Sequence, residues 1–371
     1  MRDETFIPRD YDVFAGLDVD KRSISVTFAN HQGLLKSLRM PYSVEHLVNH
    51  VRKHFPDQKV AFAYEAGPTG YGLYDGLEAQ AYRCLIASPS MIPKAPGQRV
   101  KTNRLDSRML AQNLRGGQLK SIHVPTGVYR ELRHLTQLRD TFVSEMVGMK
   151  LRIKALLLFE GIEFPPAPAG SQWSFMVKAK LRKLPCSSTV RFKLDELLDS
   201  LEFNEKRVVK TTQQIRRFCQ EDPELSRCMK YLMTICGIGW IVASQLLARI
   251  GDWRELNNIR QLAGFLGLVP TENSTGERTD RGSITHSGDP RLRSKLIQGS
   301  WSAIRQDGEL REFFRSVCRT HPRNIASRVA IVAVARKLSV RISVVLMQQR
   351  PYEVRKKVKS APLTQEETSP Q

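Results

Sequence analysis

Three acids, Asp18, Glu65 and Asp106, stand at the ends of predicted strands or open a predicted helix in a strongly basic chain. Carboxylates gathered at one place suit magnesium, and two such ions about 4 Å apart can activate an attacking oxygen and stabilise a leaving one at a phosphodiester. Asp20 follows Asp18 by two residues and points to the same face of a strand, so the assignment within that pair stays open. Lys101 to Leu110 (KTNRLDSRML) places Asn103 and Asp106 on one helical face, flanked by Lys101, Arg104 and Arg108, cations suited to phosphate oxygens. Taken singly, each acid is more often an ordinary surface residue.

The elements around these acids follow from patterning. Val13 to Val19 is a short apolar run ending beside Asp18, Ser23 to Ala29 alternates, and Gly33 to Met40 closes a three-strand meander. Ser43 is placed to cap a helix to His54. Val60 to Tyr64 is an apolar strand delivering Glu65, Gly67 to Gly70 turns into a helix near Tyr71 to Gln80, and Arg83 to Ala87 supplies a fifth strand. Three strands followed by helix, strand, helix, strand is the order of an α/β ribonuclease-H-like domain, in which the first strand is central. Asp18 and Glu65 then project from adjacent strands at one sheet edge.

Lys and Arg number 58 against 37 Asp and Glu, a formal net charge of +21 over 371 residues. Such a chain sits on polyanions through counterion release, which makes nucleic acid the expected partner. Six scattered cysteines without a C-x-x-C pair point to reduced thiols and away from structural zinc. No apolar run is long enough to span a bilayer and no signal peptide is apparent, so the expectation is a cytoplasmic, nucleoid-associated protein without a membrane partner.

Beyond the first domain (11–125), Leu132, Leu135, Phe142, Met146, Met149, Ile153 and Leu156 alternate at spacings of three and four, interrupted by Arg139. They predict a helical coiled-coil stalk over 126–221, broken by a Pro-rich stretch near 163–188 and returning antiparallel from about Val190 to Cys219. Asp222-Pro223-Glu224 is a helix start that opens a mainly α domain over 222–355. Ile235-Cys236-Gly237-Ile238-Gly239 between two apolar runs reads as a helix-hairpin-helix, where Gly237 and Gly239 let backbone N–H groups approach a DNA phosphate. A glycine turn made for compactness is the competing reading. The tail, 356–371, is polar and expected to be disordered. His46, His50 and His54 form a helical stripe read as solvated, with no acid or cysteine to complete a metal set.

These motifs in order, from G-L-D-V-D-K (Gly16 to Lys21) and Y-E-A-G-P-T-G (Tyr64 to Gly70) to KTNRLDSRML, resemble the DEDD transposases of the insertion sequence one-ten family, whose N-terminal domain is RuvC-like. The C-terminal pattern of that family also matches, through G-L-x-P at Gly267, a Ser-Thr-Gly turn, and Gly282, Ile284, Thr285, Gly288, Leu292 and Arg293. The resemblance covers about Asp12 to Tyr352. It implies a serine nucleophile at Ser274, with Thr275 its nearest competitor and Ser283 and Ser287 behind. It implies metal bound by Asp18, Glu65, Asp106 and the fourth position, where an Asp is expected and Asn103 stands. Arg278, Arg281, Arg291 and Arg293 become candidates to neutralise the transferring phosphoryl group or to grip backbone.

The resemblance further implies donor and target DNA, a structured guide (bridge) RNA that chooses the sequence, and a homo-oligomer, dimer or tetramer, with a site shared between subunits. Two other readings of the residues stay open. One is a RuvC-like structure-selective nuclease in which water attacks and Ser274 is structural. The other is a catalytically inactive nucleic-acid-binding descendant, motivated by Asn103.

Overall fold

In a computed structural model the chain divides into two compact units, Met1–Val124 and Pro125–Gln371. The structure describes residues 6–93, 102–125, 127–168, 170–256, 258–272 and 281–353. The predicted disordered tail, 356–371, lies outside the described residues.

In the first unit β1 (Val13–Val19), β2 (Ser23–Asn30) and β3 (Gly33–Pro41) form the meander; α1 (Val44–His54) leads to β4 (Val60–Glu65), α2 (Gly72–Glu78) leads to β5 (Arg83–Ala87), and α3 (Asn103–Arg115) follows. The sheet order is β3-β2-β1-β4-β5. β1 pairs antiparallel with β2 and parallel with β4, and β5 continues the parallel half. This is the expected ribonuclease-H-like arrangement. Ser43 caps α1 as anticipated, its hydroxyl accepting from the His46 N–H at 3.2 Å.

The strand alternation divides β1 between two cores. Val13, Ala15 and Leu17 pack with Leu47 and Val51 of α1 and with Leu73 and Leu77 of α2. Phe14 turns the other way, to Leu110, Ala111 and Leu114 of α3. β4 splits in the same sense, with Phe62 and Tyr64 in the first core and Ala61 and Ala63 in the second. A central strand covered on both faces is apolar throughout, which is why VFAGL lacks the polar alternation of an edge strand.

The second unit is mainly helical. Its elements are α4 (Gly127–Phe159), α5 (Phe175–Leu181), α6 (Ser188–Glu221), α7 (Pro223–Leu232), α8 (Trp240–Ile250), α9 (Gln261–Phe265), β6 (Pro270–Glu272), β7 (Arg281–Ile284), α10 (Pro290–Gln306), α11 (Gly308–Arg319) and α12 (Arg323–Gln348). α4 and α6 form an antiparallel pair. Tyr129 and Leu132 at the start of α4 share a core with Ile215 and Cys219 at the end of α6, while Ile153, Leu156 and Leu157 meet Leu194, Leu198 and Leu201 at the other end.

Between these cores the fully buried residues of the helix pair are polar: Thr136, Asp140, Asn204 and Thr211. Arg139, the break in the apolar seam, donates from Nε to Thr212 Oγ1 of α6 at 2.9 Å, so its partner lies within the same chain. Burial lowers its pKa. Asp140 is buried and accepts from Gln245 of α8 and from Lys295 of α10, each at 2.8 Å, which seats the stalk on the C-terminal helices. Among the described residues no helix is long and apolar enough to cross a membrane.

Candidate active site

The first-unit acids are positioned by one sheet face and one helix. β1 and β4 run in register Gly16 to Ala63 and Leu17 to Tyr64, so the next step sets Asp18 beside Glu65. Two-residue alternation from Phe14 and Gly16, and from Ala61 and Ala63, puts both acids on the face covered by α3. Asp106 lies in the first turn of α3, one turn before Leu110, on the stripe that faces the same sheet. All three are half-buried.

α3 can reach this position because Gly16 has no side chain. A Cβ there would lie 2.1 Å from the Ser107 carbonyl oxygen and 2.2 Å from the Ala111 nitrogen, both helix backbone. The buried hydroxyls of Thr27 and Ser107 meet at 2.9 Å and fix the helix against β2 as well. Thr102 caps the helix by accepting from the Leu105 N–H at 3.3 Å. The helix therefore opens at the acids, where its N-terminal partial charge favours anions.

Asn103 is exposed and donates from Nδ2 to Asp20 Oδ2 at 2.8 Å. The neutral amide thus holds the second acid of the G-L-D-V-D-K motif. Asp20 and Asn103 are far apart in sequence, and the two-residue step from Asp18 to Asp20 is the signal that brings Asp20 to the helix. Arg104 and Arg108 are exposed on α3, and Lys101 lies outside the described residues. Oxygen donors of this kind suit magnesium. Among the described residues, however, no three His, Cys, Asp or Glu side chains are grouped closely enough to hold one ion.

In the second unit residues 273–280 fall in sequence between β6 and β7, which pair antiparallel through Pro270 to Ile284 and Glu272 to Arg281. Ser274, Thr275, Arg278 and the side chain of Arg281 lie outside the described residues. Arg293 is 9% exposed and donates from Nη1 to the carbonyls of Leu266, Ser287 and His286 at 3.0, 3.2 and 3.4 Å. Its guanidinium anchors the segments on both sides of the hairpin. Arg291, two residues earlier, is exposed.

The predicted hairpin between α7 and α8 is present, with Asp222 accepting from the Leu225 N–H at 2.8 Å to start α7. Gly237 has a packing reason. At φ +85°, a Cβ there would lie 2.2 Å from the Gly299 carbonyl oxygen of α10, so this glycine permits the close approach of α10. Gly239, directly before α8, has nothing within 4 Å of the corresponding position and remains open to a ligand's approach.

Two family models match along the chain. Residues 229–315 match the transposase IS116/IS110/IS902 family, and residues 15–160 match the DEDD transposase model of IS110. A putative transposase of Sinorhizobium fredii, y4qE, is 31% identical over 297 residues, covering 78% of this chain and 72% of the relative. The chain belongs to the IS116/IS110/IS902 transposase family. Other relatives include a second S. fredii putative transposase, y4rJ, 25% identical over 74% of each chain. The pilin gene-inverting protein of Moraxella bovis is 28% identical, over 48% of this chain and 55% of that protein. Family membership brings transposase or recombinase activity on DNA, and the DEDD match over residues 15–160 includes Asp18, Glu65 and Asp106.

Proposed function

We propose that this chain is an insertion-sequence transposase that cuts and exchanges DNA strands with two half-sites, the acids of the first unit and Ser274 of the second. The observation that carries the reading is the collection of Asp18, Glu65 and Asp106 on the α3 face of a ribonuclease-H-like sheet. Asp18, Glu65 and Asp106 share a face without being grouped around one point; one or two of them together with oxygens of the substrate phosphate would hold magnesium, which would supply Lewis-acid chemistry at the scissile phosphate. Ser274 Oγ then loses its proton and forms a bond to phosphorus, while a strand oxygen leaves and takes up a proton. The phosphoserine link conserves the energy of the broken phosphodiester for strand exchange. Arg278, Arg281 and Arg291 would balance charge on the phosphoryl group, and Lys101, Arg104, Arg108 and the open N–H groups after Gly239 would hold backbone phosphates.

The two half-sites are proposed to meet between subunits. Leu158, Phe159 and Phe175 at one end of the stalk are 83%, 87% and 78% exposed, an apolar surface suited to association in a dimer or tetramer. Sequence choice is assigned to a guide RNA encoded beside the gene. Recombination in cells with the flanking noncoding DNA present or deleted tests this, since continued recombination after deletion contradicts a neighbouring guide. The inactive-descendant reading is favoured by Asn103 alone. It prevails if Asn103→Asp creates activity where the native chain has none.

A further inference from the structure

A groove of about 760 Å³ lies between α12 and the β6–β7 hairpin, within the size range of about 300–1,000 Å³ typical of small-ligand sites. Leu268, Ile284, Phe313, Val329 and Val332 give it apolar walls. Arg328, Arg336, Lys337 and His321 also line it, and its described lining residues include no acid. Lys337 is balanced by Glu309 at 2.7 Å and lies 4.8 Å from the centroid of the Phe313 ring. Arg328 and Arg336 are exposed.

Apolar walls beside exposed guanidinium groups complement a molecule with a flat, uncharged body and an anionic edge. A nucleotide whose base has left the stack has that composition. The position of the groove favours a nucleic-acid strand over a free small molecule. Pro270, Gly282 and Ser283, which also line it, belong to the strands that lead into and out of residues 273–280, where Ser274 lies.

We propose that this groove receives one unstacked base of a DNA strand, with the adjoining phosphate held by Arg328 and Arg336. The inference rests on the reading of the chain as a DNA strand-exchange enzyme and adds to it a site that grips the strand without reading its sequence. Apolar walls without a fixed set of donors accept any base, in keeping with target choice made elsewhere.

The test uses the full-length protein and two fluorescent 20-nucleotide strands of equal charge, one of thymidines and one of abasic residues. Counterion release contributes equally to both. The wild type should bind the thymidine strand at least about fivefold more tightly, the low end of what one stacked base contributes. Val329→Asn, which makes the wall polar without adding charge beside Arg328, should remove that preference and leave abasic binding in place. Ser283→Trp, on an exposed strand residue, should do the same by filling the groove from the opposite wall, and decides the matter if Val329→Asn fails to fold. Arg336→Ala should weaken both strands. Equal binding of the two strands by wild type, or a thymidine preference that survives Ser283→Trp, would overturn the proposal. A covalent adduct at Ser274 is measured separately: adduct without base preference removes the groove alone, and base preference without adduct removes strand exchange alone.

Discussion

Asn103 donates its amide to Asp20 across 2.8 Å, tying the first turn of α3 to the residue just beyond β1. A carboxylate at position 103 would replace this attraction by repulsion between two acids. Asn103→Asp should therefore lower the melting temperature in chelator by a few degrees, reflecting an exposed pair worth up to about 1 kcal/mol. Added magnesium should then raise the melting temperature of the variant more than that of the wild type. Equal magnesium shifts measured by differential scanning fluorimetry would show that positions 20 and 103 stand apart from the metal.

Gly16 sets the distance between β1 and α3. Gly16→Ala puts a methyl group against helix backbone, and overpacking of this kind costs about 3 kcal/mol or more where backbone must move. Urea denaturation should show the loss, while Gly33→Ala, where the added Cβ meets nothing within 4 Å, should show little change.

Arg291 and Arg293 separate phosphate grip from scaffold. Arg293→Ala leaves three carbonyls without their donor and should cost about 2 kcal/mol in unfolding free energy. Arg291→Ala should leave stability unchanged. If Arg291 contacts one phosphate, the variant should flatten the log–log salt dependence of DNA binding by about 0.9.

Asp307 gives the C-terminal helices a pH signature. Its buried carboxylate accepts from Arg341 at 2.6 Å, from the Leu310 N–H at 3.0 Å and from the Tyr352 hydroxyl at 3.1 Å. Burial acts to raise its pKa and is outweighed by these donors, which bring it below the ordinary value. The stabilisation is fully present above the unfolded carboxyl's pKa of about 3.9 and is lost as pH falls through the lower folded value. Asp307→Asn should cost about 3 kcal/mol at neutral pH by leaving Arg341 with Glu309 alone. It should also flatten the acid limb of the stability curve, followed by circular dichroism between about pH 5 and pH 2.

The strands of the first unit were legible because Gly and Pro punctuate runs whose composition already suits a covered sheet; Arg83–Ala87 is bounded by the structure as the pattern predicts. Helix starts were legible at Ser43 and Asp222, where one side-chain oxygen meets one backbone N–H. Contacts between distant segments were not. Nothing in the spacing of Gly16 predicts Ser107 and Ala111 against it, and Gly237 resembles a phosphate-binding glycine until Gly299 is seen at its back. Arg293 carries the charge of a phosphate ligand, but burial and three carbonyls make it a brace. The seam of α4 was read from its period, whereas the partner of Arg139, Thr212, depended on how α6 returns.

In the proposed reaction a serine of the second unit attacks DNA with the help of the first unit's acids. Its most direct measurement is capture of a covalent protein–DNA adduct with the full-length protein, its flanking-DNA transcript, substrate DNA and magnesium, followed by peptide mapping. The account predicts a phosphodiester-linked nucleotide on Ser274, absent in Ser274→Ala and in Asp106→Ala. Strand cleavage that persists in Ser274→Ala with no adduct would contradict it and identify water as the nucleophile.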